Sequence, residues 1–186
     1  MFDSIKIPLK TILNILMIML ALLLHYTFVP EFSINGARPH LPLVMVIVTG
    51  IASGSVYGGA AGFITGLYQD AMTGKILGMY ALFGLYSGAL AGIFSNRRKN
   101  ESVLAVIFIT YFVSVFFESC SYFFGYVIPI VRNGGEAAAG IAHAFARIIV
   151  PEAMMNTLIG APIFLILRGK TVRDSGDDDL NVPEIY

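Results

Sequence analysis

Residues 40–78 read HLPLVMVIVTGIASGSVYGGAAGFITGLYQDAMTGKILG. Only Asp70 and Lys75 are charged in this stretch. Glycine stands at positions 50, 54, 58, 62 and 66, every fourth residue, and Asp70, Gly74 and Gly78 continue the count. As one helix, residues 40–69 would extend about 45 Å, too long for a hydrocarbon core of about 30 Å unless steeply tilted. A helical hairpin broken around residues 54–59 is the alternative. Its two arms would be about 21 Å each and would need local thinning or burial against neighbours.

The rest of the chain decides between them. Of its 186 residues, 56% are hydrophobic and 13% charged, where a soluble domain carries about 25% charge. That balance predicts a lipid-embedded protein. Twelve basic and twelve acidic residues cancel, so no basic field attracts nucleic acid. A single cysteine, Cys120, excludes an intrachain disulfide and a multi-cysteine metal site.

The uncharged runs locate the spans. They cover residues 11–30, 39–69, 76–96, 102–117, 119–131 and 153–167. A spanning helix needs about 20 mostly apolar residues, and no ten-residue alternation suggests a barrel. The first run lacks a small-x-small cleavage site in His25-Tyr26-Thr27-Phe28-Val29-Pro30 and reads as a retained helix. Three basic clusters, Lys6 with Lys10, Arg97-Arg98-Lys99, and Arg168 with Lys170 and Arg173, belong in the cytoplasm by the positive-inside rule. The chain must then cross an odd number of times before Arg97. Residues 11–30 and 77–94 supply two crossings, so 40–69 crosses twice, as the hairpin.

The expected fold is therefore an all-α integral membrane protein of about six transmembrane helices with both termini cytoplasmic. Residues 1–10 form a cytoplasmic N-terminus, 11–170 one transmembrane domain, and 171–186 a disordered acidic tail. Pro151 fits the first turn of a helix over 152–167. Before it, Glu136, Gly140, His143 and Arg147 share one helical face, in a segment that either lies in the outer interface or forms the upper part of a long kinked helix.

Gly84, Gly88 and Gly92 form a second row in the next helix, and eleven of the nineteen glycines lie between 50 and 92. Small-xxx-small faces let membrane helices approach closely. The rows serve either packing within the chain or a partner's transmembrane helix. Asp70 stands where a helix meets a turn, either as a cap for the next helix or as an anchor for a partner. Glu118 falls about 24 Å along a helix beginning near Ser102, among Phe116, Phe117, Tyr122 and Phe123. An ionisable group at that depth is a functional candidate. Arg147 or His143 is its expected internal partner, and contact with a partner protein or ligand is the other reading. His25, His40 and His143 are far apart in sequence and lack a carboxylate at ligand spacing. No nucleophile elbow, zinc motif or phosphate loop is present, so neither catalytic residues nor a cofactor or metal site is expected.

The block Gly62-Phe63-x-x-Gly66-x-x-x-Asp70-x-x-x-Gly74-x-x-Leu77-Gly78 resembles the rod shape-determining protein MreD family. A second stretch, Asn156 followed by Pro162, Leu165 and Arg168, is similar to that family's last helix, and an acid in the penultimate helix, as at Glu118, also looks like the family. The resemblance runs over residues ~40–170 in order and spacing. It implies a non-enzymatic scaffold of the bacterial cell-elongation complex, binding an MreC-like single-span protein. Through that protein the scaffold would act with MreB, RodA and a class B penicillin-binding protein in lateral peptidoglycan synthesis. Gly62, Phe63, Gly66, Asp70, Gly74 and Gly78 are the partner-binding candidates that carry over, and Glu118, His143, Arg147 and Asn156 are the intramembrane polar candidates. On this reading the glycine rows accept the MreC helix.

The plan also resembles the substrate-binding S-components of energy-coupling-factor vitamin transporters, which are six-helix proteins of about this length. Against that, Leu16 to Leu22 hold no Ala-x-x-x-Ala docking element, and tryptophan is absent. An ion or proton conduit through Glu118, Arg147 and His143 would need a continuous polar path, which one acid per helix does not supply.

Overall fold

Pro42 through Ile51 are ten consecutive buried residues, so their helix is enclosed on every side. The computed structural model describes residues 9–31, 33, 36–74, 77–95, 102–133 and 138–178. They form six helices and, among the described residues, no strand. α1 is Leu9–Thr27 and is followed by a 3-10 turn at Val29–Glu31. α2 is Leu41–Ser53, α3 Ser55–Thr73 and α4 Met79–Phe94. α5 runs continuously over Val103–Arg132. α6 begins at Ala138 and ends at Asp178.

The hairpin exists, with its break at one residue. Gly54 has φ +95°, a conformation that L side chains rarely adopt, and it ends α2 and begins α3. The arms are unequal. α2 has 13 residues, about 20 Å. α3 has 19, about 29 Å, and carries on through Asp70 to Thr73. The short arm is the one that is fully enclosed, packing against α1, α3, α4, α5 and α6. Leu43, Val44, Ile47 and Val48 of α2 meet Phe83 of α4, Val106, Val113 and Phe117 of α5 and Phe164 of α6 in one core.

Two ends of the bundle can be named from these contacts. At the Gly54 end, the Ser95 hydroxyl donates to the Ile51 carbonyl at 3.1 Å, tying the exit of α4 to that of α2. At the Asp70 end, α1 and α3 finish, α2 and α4 begin, and the upper parts of α5 and α6 meet.

α5 and α6 share a device at a matching place. The five residues Phe123–Val127 in α5 and Phe145–Ile149 in α6 are π-helical. The residues following them, Ile128 and Val150, each donate five positions back, to the carbonyls of Phe123 and Phe145. Pro129 and Pro151 come next. A proline ring clashes with the carbonyl four residues before it and cannot bond to it. The extra residue in the turn relieves both problems without ending the helix. Residues 138–149 are thus the upper part of one long helix, and Pro151 lies inside that helix rather than at its start. α6 also continues over residues 171–178, where the sequence predicts a disordered tail. Lys6, Lys75, Arg97-Arg98-Lys99, Glu136 and residues 179–186 lie outside the described residues.

Candidate functional site

The glycine rows bring α3 and α4 into backbone contact. A side-chain carbon on Gly62 would overlap the Gly84 carbonyl, and one on Gly84 would overlap the Gly62 carbonyl. Gly58 meets Gly88 in the same way, and Gly66 meets Tyr80 and Ala81. Gly62 and Gly66 are therefore occupied within the chain, and for these two the reading as an open face for a partner's helix does not hold. Phe63 points elsewhere and is 41% exposed.

This approach lets Asp70 reach the start of α4. One carboxylate oxygen accepts from Gly78 N–H at 3.0 Å and Ala81 N–H at 3.1 Å. The other accepts from Tyr80 N–H at 2.9 Å. Asp70 is 2% exposed, and it satisfies three amides that an α-helix start otherwise leaves open, with the helix dipole favouring its charge. The capping reading of Asp70 is the one realised. Gly74 (φ +62°) and Gly78 (φ +91°) make the turn between the helices. Nothing lies within 4 Å of a side-chain carbon built on either, so backbone conformation is what requires glycine there.

Above this corner lies a polar recess of about 200 Å³. His25 and Tyr26 of α1, Arg38 and His40, Gln69 and Thr73 of α3, Tyr80 of α4, Glu118 of α5 and Glu152 of α6 line it. His40 organises one wall. Its Nδ1 accepts from Leu43 N–H at 3.2 Å and caps α2. Its backbone N–H donates to Asn156 Oδ1 at 2.7 Å. With Nδ1 accepting, the neutral ring carries its proton on Nε2, which lies 3.4 Å from the Gln69 amide. The His25 ring is 4.8 Å away and the Phe117 ring 5.2 Å, centroid to centroid. Burial, and then the neighbouring His25, push the His40 pKa down to about 3.

Opposite His40, the Glu118 and Glu152 side chains hydrogen-bond to each other. Glu152 Oε1 also accepts from Arg38 N–H at 3.0 Å. Glu118 Oε1 is buried with no hydrogen-bond partner among the described residues. Lower on the same seam, a side-chain carbon on Gly160 would lie 3.2 Å from the Thr110 methyl. In antiparallel helices four residues up one is four down the other, so Ser114 faces Asn156 between these two pairs. The Ser114 hydroxyl and Asn156 Nδ2 are likewise buried without a partner among the described residues.

A model of the family described as rod shape-determining protein MreD matches residues 6–169. The chain belongs to the MreD family. No curated protein and no solved structure matches it.

The block that resembles MreD proteins separates by physical role. Gly62 and Gly66 admit α4, Asp70 caps it, and Gly74 and Gly78 turn the chain between the two helices. The polar candidates divide differently. Glu118 and Asn156 both lie along the α5–α6 seam. Glu118 is bonded to Glu152, and Asn156, with 0% exposure, accepts from His40 N–H one turn lower on α6. His143 and Arg147 are exposed, and no ion pair joins either to Glu118 among the described residues. Glu152 takes the expected place of Arg147, because it lies five residues, about 7.5 Å, further along α6, level with Glu118. His25 and His40, far apart in sequence, are adjacent in space, while His143 is elsewhere. Arg38, Gln69, Tyr80 and Glu152 carried no motif in this MreD-family chain. Glu152 did carry one signal, an acid just after a proline at the head of an apolar run.

Proposed function

We propose that this chain is a non-enzymatic membrane scaffold of the cell-elongation complex, which holds an MreC-like single-span protein at the Asp70 end. Through that protein it would act with MreB, RodA and a class B penicillin-binding protein in lateral peptidoglycan synthesis. Family membership supports the role in rod shape, and the recess at the Asp70 end carries the docking assignment. It is walled by five helices and the segment before α2, and it holds a buried carboxylate oxygen without a partner among the described residues. Of its other groups, His40 caps α2 and Glu118 bonds Glu152, while His25 Nδ1 is also buried without a hydrogen-bond partner among the described residues. That arrangement suits a socket more than a reaction centre.

A plasma-membrane location with six spans and cytoplasmic termini accompanies the proposal. α5 and α6 are long and apolar enough to cross. Exposed Leu16, Met19 and Leu23 on α1, at 59–62%, suit lipid better than water. The basic cluster Arg97-Arg98-Lys99 joins α4 to α5 in the sequence, and these two helices meet it from the Gly54 end. Positive-inside then turns the Asp70 end outward. A vitamin-binding role fits poorly, because 200 Å³ is below the roughly 300–1,000 Å³ of ordinary small-molecule sites.

The test is co-purification of the full-length chain with its MreC-like partner from native membrane. Retention of the partner is expected, with loss on Tyr26→Ala or Tyr80→Ala at the recess and no change on Val56→Ala at the Gly54 end. A partner retained equally by all three variants would remove the recess from the interface.

A further inference from the structure

We propose that the Glu118–Glu152 carboxyl pair is the receptor for one basic side chain of the docked partner, an alkylammonium or guanidinium group. The inference rests on the docking reading above and names its chemistry.

With one of the two hydrogen-bonded carboxyls ionised, the joined pair presents one negative charge to the recess. A single organic cation balances it. Arg38 lines the same recess but meets Glu152 through its backbone N–H, and among the described residues no ion pair joins its guanidinium to either carboxylate. Glu118 Oε1 is an acceptor withdrawn from solvent with no donor among the described residues, a costly state unless a donor arrives. Tyr26 and Tyr80 stand in the same lining. Aromatic faces attract ammonium and guanidinium groups and repel anions. An inorganic cation suits the place less well, since no three side chains of the metal-ligating type converge among the described residues. The volume admits one side chain and not a larger metabolite.

The experiment uses the full-length protein in discs of phosphatidylglycerol, a lipid whose headgroup contains no amine. n-Butylguanidinium and n-butylammonium are titrated against thermal stability, with n-butanol as the uncharged control. Both cations are expected to raise the unfolding temperature saturably and butanol to leave it unchanged. Glu118→Gln and Glu152→Gln, close in shape, should each weaken the cation midpoint roughly ten-fold or more. An equal response to butanol, or unchanged midpoints in the two variants, overturns the proposal. If a variant fails to fold, the comparison of cations with butanol on the native chain decides alone.

Two further arms settle the source. Saturating butylguanidinium should reduce the retained MreC-like partner roughly ten-fold or more. An undiminished partner overturns the assignment while leaving partner binding itself intact. Discs containing phosphatidylethanolamine should give the same cation midpoint. A midpoint weakened by that lipid would make its headgroup the occupant and overturn the side-chain assignment. Failure of the docking reading is read separately, as absence of the partner from the native chain without any probe.

Discussion

The backbones of Gly62 and Gly84 touch, each where the other's side chain would have to be. Helices in lipid gain little from excluding water from one another, so dispersion between closely fitted backbones holds this pair together. Gly58 and Gly88 repeat the contact about one turn away.

Gly62→Ala should therefore destabilise the protein by about 1–3 kcal/mol, and Gly62→Leu should prevent recovery of folded protein, because the obstacle is backbone and not a movable side chain. Gly59 is the control. A side-chain carbon there would lie 3.5 Å from the Leu85 carbonyl and 3.6 Å from the Ala89 side chain, which is ordinary contact. Gly59→Ala should be neutral or stabilise by up to about 1 kcal/mol through helix propensity. Thermal unfolding in detergent measures both. A folded, stable Gly62→Leu chain that has lost only its partner would instead restore the open-face reading.

Asp70→Ala leaves the amides of Gly78, Tyr80 and Ala81 without their acceptor. A cost of at least about 3 kcal/mol is expected, since a buried amide left unpaired costs about 1–3 kcal/mol. Asp70→Asn keeps one oxygen and turns an NH2 toward the remaining amides, so it should fall between Ala and wild type. Amide exchange at Tyr80 and Ala81 should accelerate in both variants. Unchanged exchange would mean that the cap contributes nothing to α4.

A double-mutant cycle separates Glu152 from Arg147 as the neighbour of Glu118. Glu118→Gln and Glu152→Gln should couple by about 0.5–3 kcal/mol, as groups in one hydrogen-bonded pair do. Glu118→Gln and Arg147→Ala should add to within about 0.5 kcal/mol. The opposite pattern of coupling would return Arg147 to the buried network.

His40 makes stability depend on pH. Its folded pKa, about 3, lies below the roughly 6.5 of a histidine in an unfolded chain. The unfolded chain therefore binds a proton that the folded chain does not, and the contribution is complete above about pH 6.5 and declines as pH falls toward the folded value. The unfolding temperature should drop between pH 6.5 and 4. His40→Asn still offers Leu43 N–H a side-chain acceptor, and should flatten that drop. His25, Tyr80, Glu118 and Glu152 face the same recess and are present in both proteins, so the difference between the two curves belongs to His40. Parallel curves would assign the titration to one of those neighbours.

The sequence by itself determined the helical class, the hairpin within residues 40–69, the close approach of the glycine rows and the resemblance to MreD proteins. These are legible because they follow from local chemistry. A run of apolar residues measures a helix, a left-handed turn calls for glycine, and a glycine every fourth residue marks a face along one helix. Only the tertiary structure decided which face met which. It spent Gly62 and Gly66 on α4, made Asp70 a cap, and placed Gly54 as the single break. It also set Glu118 against Glu152 and not Arg147, and brought His25 to His40. Those outcomes depend on how far along its own axis each helix is shifted against its neighbour. A shift of five residues on α6 moves the facing side chain by about 7.5 Å. That shift comes from packing among five helices and from π turns beside two prolines, and no segment of sequence read alone contains it.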